Sequence, residues 1–133
     1  MKALNNYVAA AGFTAASEAL LVGARFGLDP KDMVEVFNAS TGQNFSTGLT
    51  LPQHVLTRTF ESRFPLPLMT KDVAIAADLA DAIEVEAPVL SLLRQIWADA
   101  LESEGPGVDH AAAFRHWEKR SGVELPLRPL GET

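Results

Sequence analysis

A lysine and two adjacent asparagines head a segment that is otherwise almost entirely apolar, MKALNNYVAAAGF. Lys2 lies three residues before Asn5 and four before Asn6, so a helix would place all three side chains on one face. An ammonium group can donate a proton to a carbonyl oxygen, and a carboxamide can orient a substrate with one donor and one acceptor. The residues alone also leave open a frayed, solvent-exposed first turn in which an asparagine is the N-cap.

A second lysine, Lys71, stands next to Asp72 after the proline-rich stretch FPLPLMTKD. An extended segment that leads into a helix could let Lys71 reach into a cleft. A solvated surface pair is the other interpretation, and Asp72 would then serve the dipole of the first helical turn. Both interpretations stay open at this point.

Other kinds of chemistry find little support in the sequence. His110 and His116 are six residues apart, which is not same-face spacing, and no HExxH occurs, so no metal site is predicted. We expect the histidines at the surface or at helix ends. The chain has neither GxSxG nor GxGxxG, and Trp97 and Trp117 are interpreted as core or interface residues.

These residues must be positioned by helices, because no alternating strand pattern of useful length occurs. The sequence predicts an all-α fold of five or six helices with a long first helix. The predicted helices cover 2–26 with Gly27 as C-cap, 30–39 with Asp29 as N-cap, a short stretch after Pro52, 68–86, 88–104, and 110–122 with Asp109 as N-cap. Residues 40–48 are predicted as a loop, 62–68 as extended chain, and 125–133 as an arm or a disordered tail.

Two inner faces follow from the spacing of apolar residues. In the second helix the face consists of Met33, Val34, Val36 and Phe37. In the third long helix it consists of Met69, Val73, Ala76, Leu79, Ala80 and Ile83.

Composition excludes some classes of function. The 133 residues carry a net charge of −6 and form no basic cluster, which disfavours nucleic acid as a partner. The chain has no cysteine, which fits a cytoplasmic protein. Glu18 interrupts the most apolar run, YVAAAGFTAASEALLV, so we interpret this run as a buried core helix and predict no membrane partner.

Four segments together resemble the C-terminal helical domain of the β-hydroxyacid dehydrogenase family, which includes 3-hydroxyisobutyrate dehydrogenase and tartronate semialdehyde reductase. The matching segments are KALNN at 2–6, ASEALLVGARFGLDP at 16–30, NASTGQNFS at 38–46 and FPLPLMTKDVAIAADLA at 64–80. The resemblance extends over about residues 2–105. It implies a helical domain of the 6-phosphogluconate dehydrogenase C-terminal-like type, which closes over a nicotinamide cofactor held by a Rossmann domain.

The resemblance also implies roles for individual residues. Lys2 matches the catalytic lysine, which exchanges a proton with the substrate oxygen. Asn6 matches a substrate-binding asparagine, with Asn5 beside it, and Phe64 would form a wall of the pocket. Lys71 and Asp72 match the segment near the cofactor, which would be NAD or NADP.

On this basis residues 1–122 are predicted as a substrate-binding and catalytic-lysine domain, and 123–133 as a C-terminal tail. The Rossmann domain is absent from the chain, and DHAAAFRHWEKRSGVELP departs from the commonest ending of the family. The predicted function is part of an NAD(P)-dependent dehydrogenase of a small hydroxy acid, present as a homodimer or higher homo-oligomer. The alternative is a helical oligomerisation module with no catalytic role.

Overall fold

The computed structural model describes residues 1–125, and most of the predicted tail at 125–133 lies outside them. The described residues form five α-helices, one π-helix and one 3₁₀ turn, with no strand among them. The elements are α1 (Lys2–Phe26), α2 (Pro30–Ala39), the π-helix (Ser46–Val55), α3 (Leu66–Ala82), α4 (Pro88–Glu104), the 3₁₀ turn (His110–Ala112) and α5 (Ala113–Ser121). The predicted all-α class with a long first helix is therefore confirmed.

Three of the predicted helix ends are confirmed by their capping geometry. Gly27 ends α1 in the left-handed region, with φ 110°, and its N–H bonds to the carbonyls of Gly23 and Ala24. The side chain of Asp29 accepts a hydrogen bond from the Lys31 N–H at the start of α2. The side chain of Asp109 accepts one from the Ala111 N–H at the 3₁₀ turn. These ends were predictable because capping depends on residues that are close in sequence.

Helix α1 is the central helix of the core. Its length and composition alone would allow it to cross a membrane, but one side of it is buried in the fold, including Ala10, Phe13 and Leu20. The indole N–H of Trp97 on α4 donates to the hydroxyl of Thr14 at 3.0 Å, and that hydroxyl donates to the Ala10 carbonyl. The helix is thus tied to α4 by a buried polar contact, as expected for a core helix.

Aromatic rings fill the space between α1, α4 and α5. The ring of Phe13 lies 6.1 Å from that of Trp97 and 5.5 Å from that of Trp117, measured between centroids. The two tryptophans meet edge to face at 5.5 Å. Their predicted place in the core is confirmed, since both are buried.

The segment between α2 and α4 differs from its prediction. The π-helix begins at Ser46, within the predicted loop, and contains Pro52. Helix α3 begins at Leu66 and ends at Ala82, earlier at both ends than predicted, and Pro67 lies in its first turn. Proline is tolerated there because the first N–H groups of a helix have no partner inside it.

Part of each predicted inner face is wrong. Val34 is buried and Met33 and Phe37 pack against the core, but Val36 is exposed. Leu79 on α3 and Ile83, the residue that follows α3, are also exposed. Spacing predicts which residues share a face, whereas the width of the covered stripe depends on the neighbouring elements.

Candidate active site

A cavity of about 500 Å³ lies between the N-terminal half of α1, the π-helix and the chain just before α3. Apolar side chains such as Val8, Leu49, Phe64 and Met69 form part of its lining. Its polar lining includes Asn5, Asn6, Asn44, Ser62, Arg63 and His110. A pocket of this size, largely apolar with several convergent polar groups, is typical of a small-molecule site.

Asn6 links α1 to α3 inside this region. Its amide nitrogen donates to the Asp72 carboxylate at 2.6 Å, and the Asp72 side chain is buried. The side-chain amide of Asn5 donates to the side-chain oxygen (Oδ1) of Asn6 at 3.4 Å. Asn6 is half-buried, so the fixed amide still has one N–H and an oxygen for a ligand. The structure therefore brings together two residues that are 66 positions apart in the sequence.

Lys2 and Lys71 are exposed and are not among the residues that line the cavity. Lys2 precedes Asn6 by four residues, or about 6 Å along the axis of α1. Lys71 directly precedes Asp72 on α3. Both ammonium groups therefore belong to residues within about one helical turn of the Asn6–Asp72 hydrogen bond.

Phe64 lines the cavity and is held by main-chain contacts. Its N–H donates to the Asp109 carboxylate at 2.9 Å, and its carbonyl accepts from the His110 N–H at 2.7 Å. Its ring meets the His110 ring edge to face at 5.7 Å. Phe64 therefore lies in the wall of this cavity, and its role in a substrate pocket stays a prediction.

His110 is buried, so it is not a surface residue, but it is the first residue of the 3₁₀ turn and thus fits the helix-end alternative. Ser62 donates its hydroxyl proton to Asp109 at 2.6 Å, which leaves its oxygen to accept from His110 Nδ1 at 2.8 Å. The carbonyl of Phe64 lies 3.3 Å from the same nitrogen. These partners place the proton on Nδ1, and Nε2 has no hydrogen bond with any residue of the described part.

Burial raises the pKa of Asp109, but hydrogen bonds to its carboxylate outweigh that effect and hold the pKa well below its usual range. The donors are His110, Ser62 and the N–H groups of Ala111 and Phe64. Ser62, His110 and Asp109 do not form a hydrolytic triad, because the serine and the carboxylate both face the same ring nitrogen. Their arrangement fixes one wall of the cavity.

Asn44 reaches the cavity because α1 carries a glycine opposite it. The Asn44 side chain accepts from the Thr47 N–H at 3.0 Å, and its amide lies 3.5 Å from the Gly12 carbonyl. A Cβ at position 12 would stand only 3.2 Å from the Asn44 side chain. The small residue therefore lets the start of the π-helix approach α1 closely.

Sequence reasoning missed Asn44, Ser62, Arg63 and His110 as lining residues. Asn44 lies in a matching segment, and Ser62 and Arg63 directly precede the matching Phe64, so nearness to these motifs was the available signal. His110 lies 46 positions from Phe64, and no local pattern indicates that the two meet. Within residues 1–125, no group of three metal-ligating side chains occurs.

Comparison with known proteins gives a family match. A family profile described as NAD-binding of NADP-dependent 3-hydroxyisobutyrate dehydrogenase matches residues 1–117. The chain is 24% identical to 2-(hydroxymethyl)glutarate dehydrogenase of Eubacterium barkeri, over 94% of the chain and 42% of that protein. It is 30% identical to 2-hydroxy-3-oxopropionate reductase of Escherichia coli, over 93% of the chain and 42% of that protein.

A solved structure shows the same fold. It is that of Mycobacterium tuberculosis 3-hydroxyisobutyrate dehydrogenase with L-serine, which superposes with a TM-score of 0.76 and 26% identity. The match covers 87% of this chain and 42% of that chain. The chain thus spans about two-fifths of the length of these relatives. Since the profile matches residues 1–117, most of the chain, the chain belongs to the family described as NAD-binding of NADP-dependent 3-hydroxyisobutyrate dehydrogenase.

Proposed function

We propose that the chain is the helical lobe of an NAD(P)-dependent dehydrogenase that interconverts a short hydroxy acid and its aldehyde or keto acid. The observation that carries the proposal is the Asn6–Asp72 hydrogen bond, which joins the two lysine-bearing segments beside a cavity of small-molecule size. Family membership supports it. The relatives are named for hydroxy-acid or oxo-acid chemistry, and the L-serine of the M. tuberculosis structure is itself a 3-hydroxy acid.

In this proposal Lys2 is the general acid and base. Its ammonium group donates a proton to the carbonyl oxygen when the substrate is reduced, and the neutral amine takes the hydroxyl proton in the reverse direction. Asn6 orients the same oxygen with the amide hydrogen that Asp72 leaves free. Asp72 is then a positioning residue, because it acts through Asn6.

The lining of the cavity fits a nicotinamide ring together with a short acid. Apolar surface from Phe64, Leu49 and Met69 suits the planar ring, and the amide groups of Asn5 and Asn44 suit polar substituents. When bound, NAD or NADP supplies the hydride acceptor or donor. We propose that Phe64 and Lys71 face the nicotinamide end. Because the sequence has no GxGxxG, we propose that a separate Rossmann domain holds the phosphates.

We also propose a domain boundary, an oligomeric state and a location for the protein. Residues 1–122 would form the catalytic-lysine domain, although packing in the structure continues to Leu125, whose N–H donates to Glu118 at 2.7 Å. We propose a homodimer or higher homo-oligomer, which also accommodates a role in assembly. A cytoplasmic location rests on the absence of cysteine alone.

The test is a lysine replacement in the two-domain enzyme, meaning this chain combined with a dinucleotide-binding domain. Lys2→Ala should lower kcat for hydroxy-acid oxidation by roughly 10²–10⁴-fold, the usual contribution of an acid–base group. Formation of NADH or NADPH is the readout. Lys31→Ala, at an exposed lysine of α2, is the matched control and should keep parental activity.

Two results would count against the proposal. A Lys2→Ala enzyme that keeps the turnover of the parent would contradict the assignment of Lys2 as the acid–base group. A full-length protein that assembles into oligomers but turns over no short hydroxy acid with either cofactor would favour the oligomerisation module.

A further inference from the structure

Three residues other than glycine adopt the left-handed conformation between positions 58 and 63: Arg58 (φ 59°), Phe60 (φ 51°) and Arg63 (φ 67°). This conformation costs a side-chain-bearing residue free energy and persists where something offsets the cost. For Arg58 the free-energy cost is offset by its side chain, because the guanidinium forms two hydrogen bonds with the buried Glu118, at 2.8 and 3.0 Å. For Phe60 the offset is burial in the core.

None of the described residues forms a contact that would offset the left-handed conformation of Arg63. Its side chain is exposed and forms no hydrogen bond or ion pair with any of them. Glycine would suit this φ better. Arg63 lines both the candidate cavity and a neighbouring one, whose lining includes Phe60, Pro65 and Arg115.

The charged groups around the cavity also favour an anionic ligand. The protein has 17 acidic residues and a net charge of −6, yet among residues 1–125 no aspartate or glutamate lines the candidate cavity. Two carboxylates that contact lining residues already have partners, Asp72 with Asn6 and Asp109 with Ser62. Arg63 is the one lysine or arginine among the described lining residues. A guanidinium binds a carboxylate with two parallel hydrogen bonds, so an anionic ligand suits this wall.

We propose that Arg63 binds the carboxylate of the ligand and makes the cavity selective for acids over neutral alcohols. The identity of that ligand as a hydroxy acid rests on the proposed function, whereas the oxyanion preference rests on Arg63 itself. A phosphate of the dinucleotide offers similar chemistry, so the experiment must separate the two sources.

The experiment measures equilibrium binding to the full-length natural protein that contains this chain, which does not require turnover. The probes are 3-hydroxyisobutyrate and its neutral counterpart 2-methylpropane-1,3-diol, with NADH and NADPH titrated separately. The wild type should bind the acid more tightly than the diol. Arg63→Gln should weaken acid binding by roughly 10–100-fold, the value of a charge-assisted hydrogen bond pair, and leave the diol unchanged.

Three further variants separate selectivity from structure. Arg63→Lys should restore part of the affinity for the acid, because it keeps the charge without the planar fork. Arg63→Gly should lose acid binding as Arg63→Gln does, yet unfold at the same or a higher temperature, because glycine relieves the left-handed strain. Arg120→Gln removes an exposed arginine of α5 and should change neither probe.

Several outcomes would overturn the proposal. One is a wild type that binds the acid no more tightly than the diol, and another is an Arg63→Gln protein with unchanged preference. A third is loss of dinucleotide binding with acid binding intact, which would assign Arg63 to a phosphate. Loss of both probes together with a lower unfolding temperature for Arg63→Gly would make the residue structural. None of these results depends on the Lys2 assignment, so the two proposals can fail separately.

Discussion

At the scale of single residues, the candidate site depends on how an amide is held. An isolated asparagine in the second turn of a helix would rotate freely between solvent and neighbouring groups. Here a buried carboxylate accepts one of its amide hydrogens at 2.6 Å, so the Asn6 side chain has one orientation. An amide fixed in this way can position a ligand oxygen without losing rotational freedom on binding.

We therefore predict that Asp72→Ala destabilises the protein by about 1–3 kcal/mol, because it leaves the amide of Asn6 without its acceptor. It should also lower kcat/KM of the two-domain enzyme through misplacement of Asn6. Asp72→Asn is the matched control, since its side-chain oxygen can still accept the hydrogen bond. Urea unfolding and steady-state kinetics measure the two effects. An Asp72→Ala protein within about 0.5 kcal/mol of the wild type would contradict the prediction.

At the scale of elements, Asp109 connects two parts of the chain that both contribute to the cavity. Its side chain caps the 3₁₀ turn through the Ala111 N–H and holds the segment before α3 through Ser62 and the Phe64 N–H. One ionised carboxylate thereby sets the distance between these two segments. These contacts stabilise the ionised form of Asp109, which is why its pKa is lowered.

This pKa shift predicts how stability depends on pH. The folded pKa of Asp109 lies below the unfolded value of about 3.9, so its contribution is fully present above that value. The contribution is lost as the pH falls below about 4 toward the folded pKa. Asp109→Asn keeps a good capping side chain but removes the charge. It should be less stable than the wild type at pH 7. The difference in unfolding free energy between the two proteins should become smaller in acid.

Urea unfolding of both proteins at a series of pH values checks this expectation. Asp32→Asn, which removes an exposed carboxylate from the first turn of α2, controls for the loss of one negative charge. A difference in unfolding free energy between wild type and Asp109→Asn that stays constant down to acid pH would show that the carboxylate is not stabilised by the fold.

At the scale of the whole molecule, large apolar side chains remain exposed on several helices. Val22 and Phe26 lie four residues apart on one face of α1 and are 71% and 84% exposed. Ile83, which follows α3, and Leu92 on α4 are singly exposed, at 60% and 61%. Single exposed apolar residues are ordinary, but pairs that share a helix face favour an interface.

We predict that the protein forms a dimer or larger oligomer at micromolar concentration and that Val22→Glu weakens this association. A charge buried at an interface without a partner is costly, so the variant should shift the equilibrium toward smaller species. Light scattering combined with size-exclusion chromatography gives the mass of the species that each protein forms. Gln53→Glu, at an exposed position of the π-helix, adds the same charge as a control. A wild type that is monomeric under these conditions would remove the prediction.

Much of this architecture was determined by the sequence alone. Gly27, Asp29 and Asp109 predicted three element ends, because capping joins residues that are one to four positions apart. The motifs at 2–6 and 64–80 indicated the family, which the profile match confirms. The catalytic and binding roles of Lys2, Asn5, Asn6, Phe64, Lys71 and Asp72 stay predictions.

Only the tertiary structure decided which distant residues meet. The burial of His110 beside Phe64, the bond between Asn6 and Asp72, and the helix over 46–55 all depend on contacts between segments far apart in the chain. The π-helix contains Gly48, which local propensity assigns to a loop, and begins before Pro52, after which the sequence predicts a short helix; Thr47, Leu51 and Val55 of the π-helix are buried. Packing free energy from those side chains outweighs a weak local preference, and no spacing rule along the sequence records that balance.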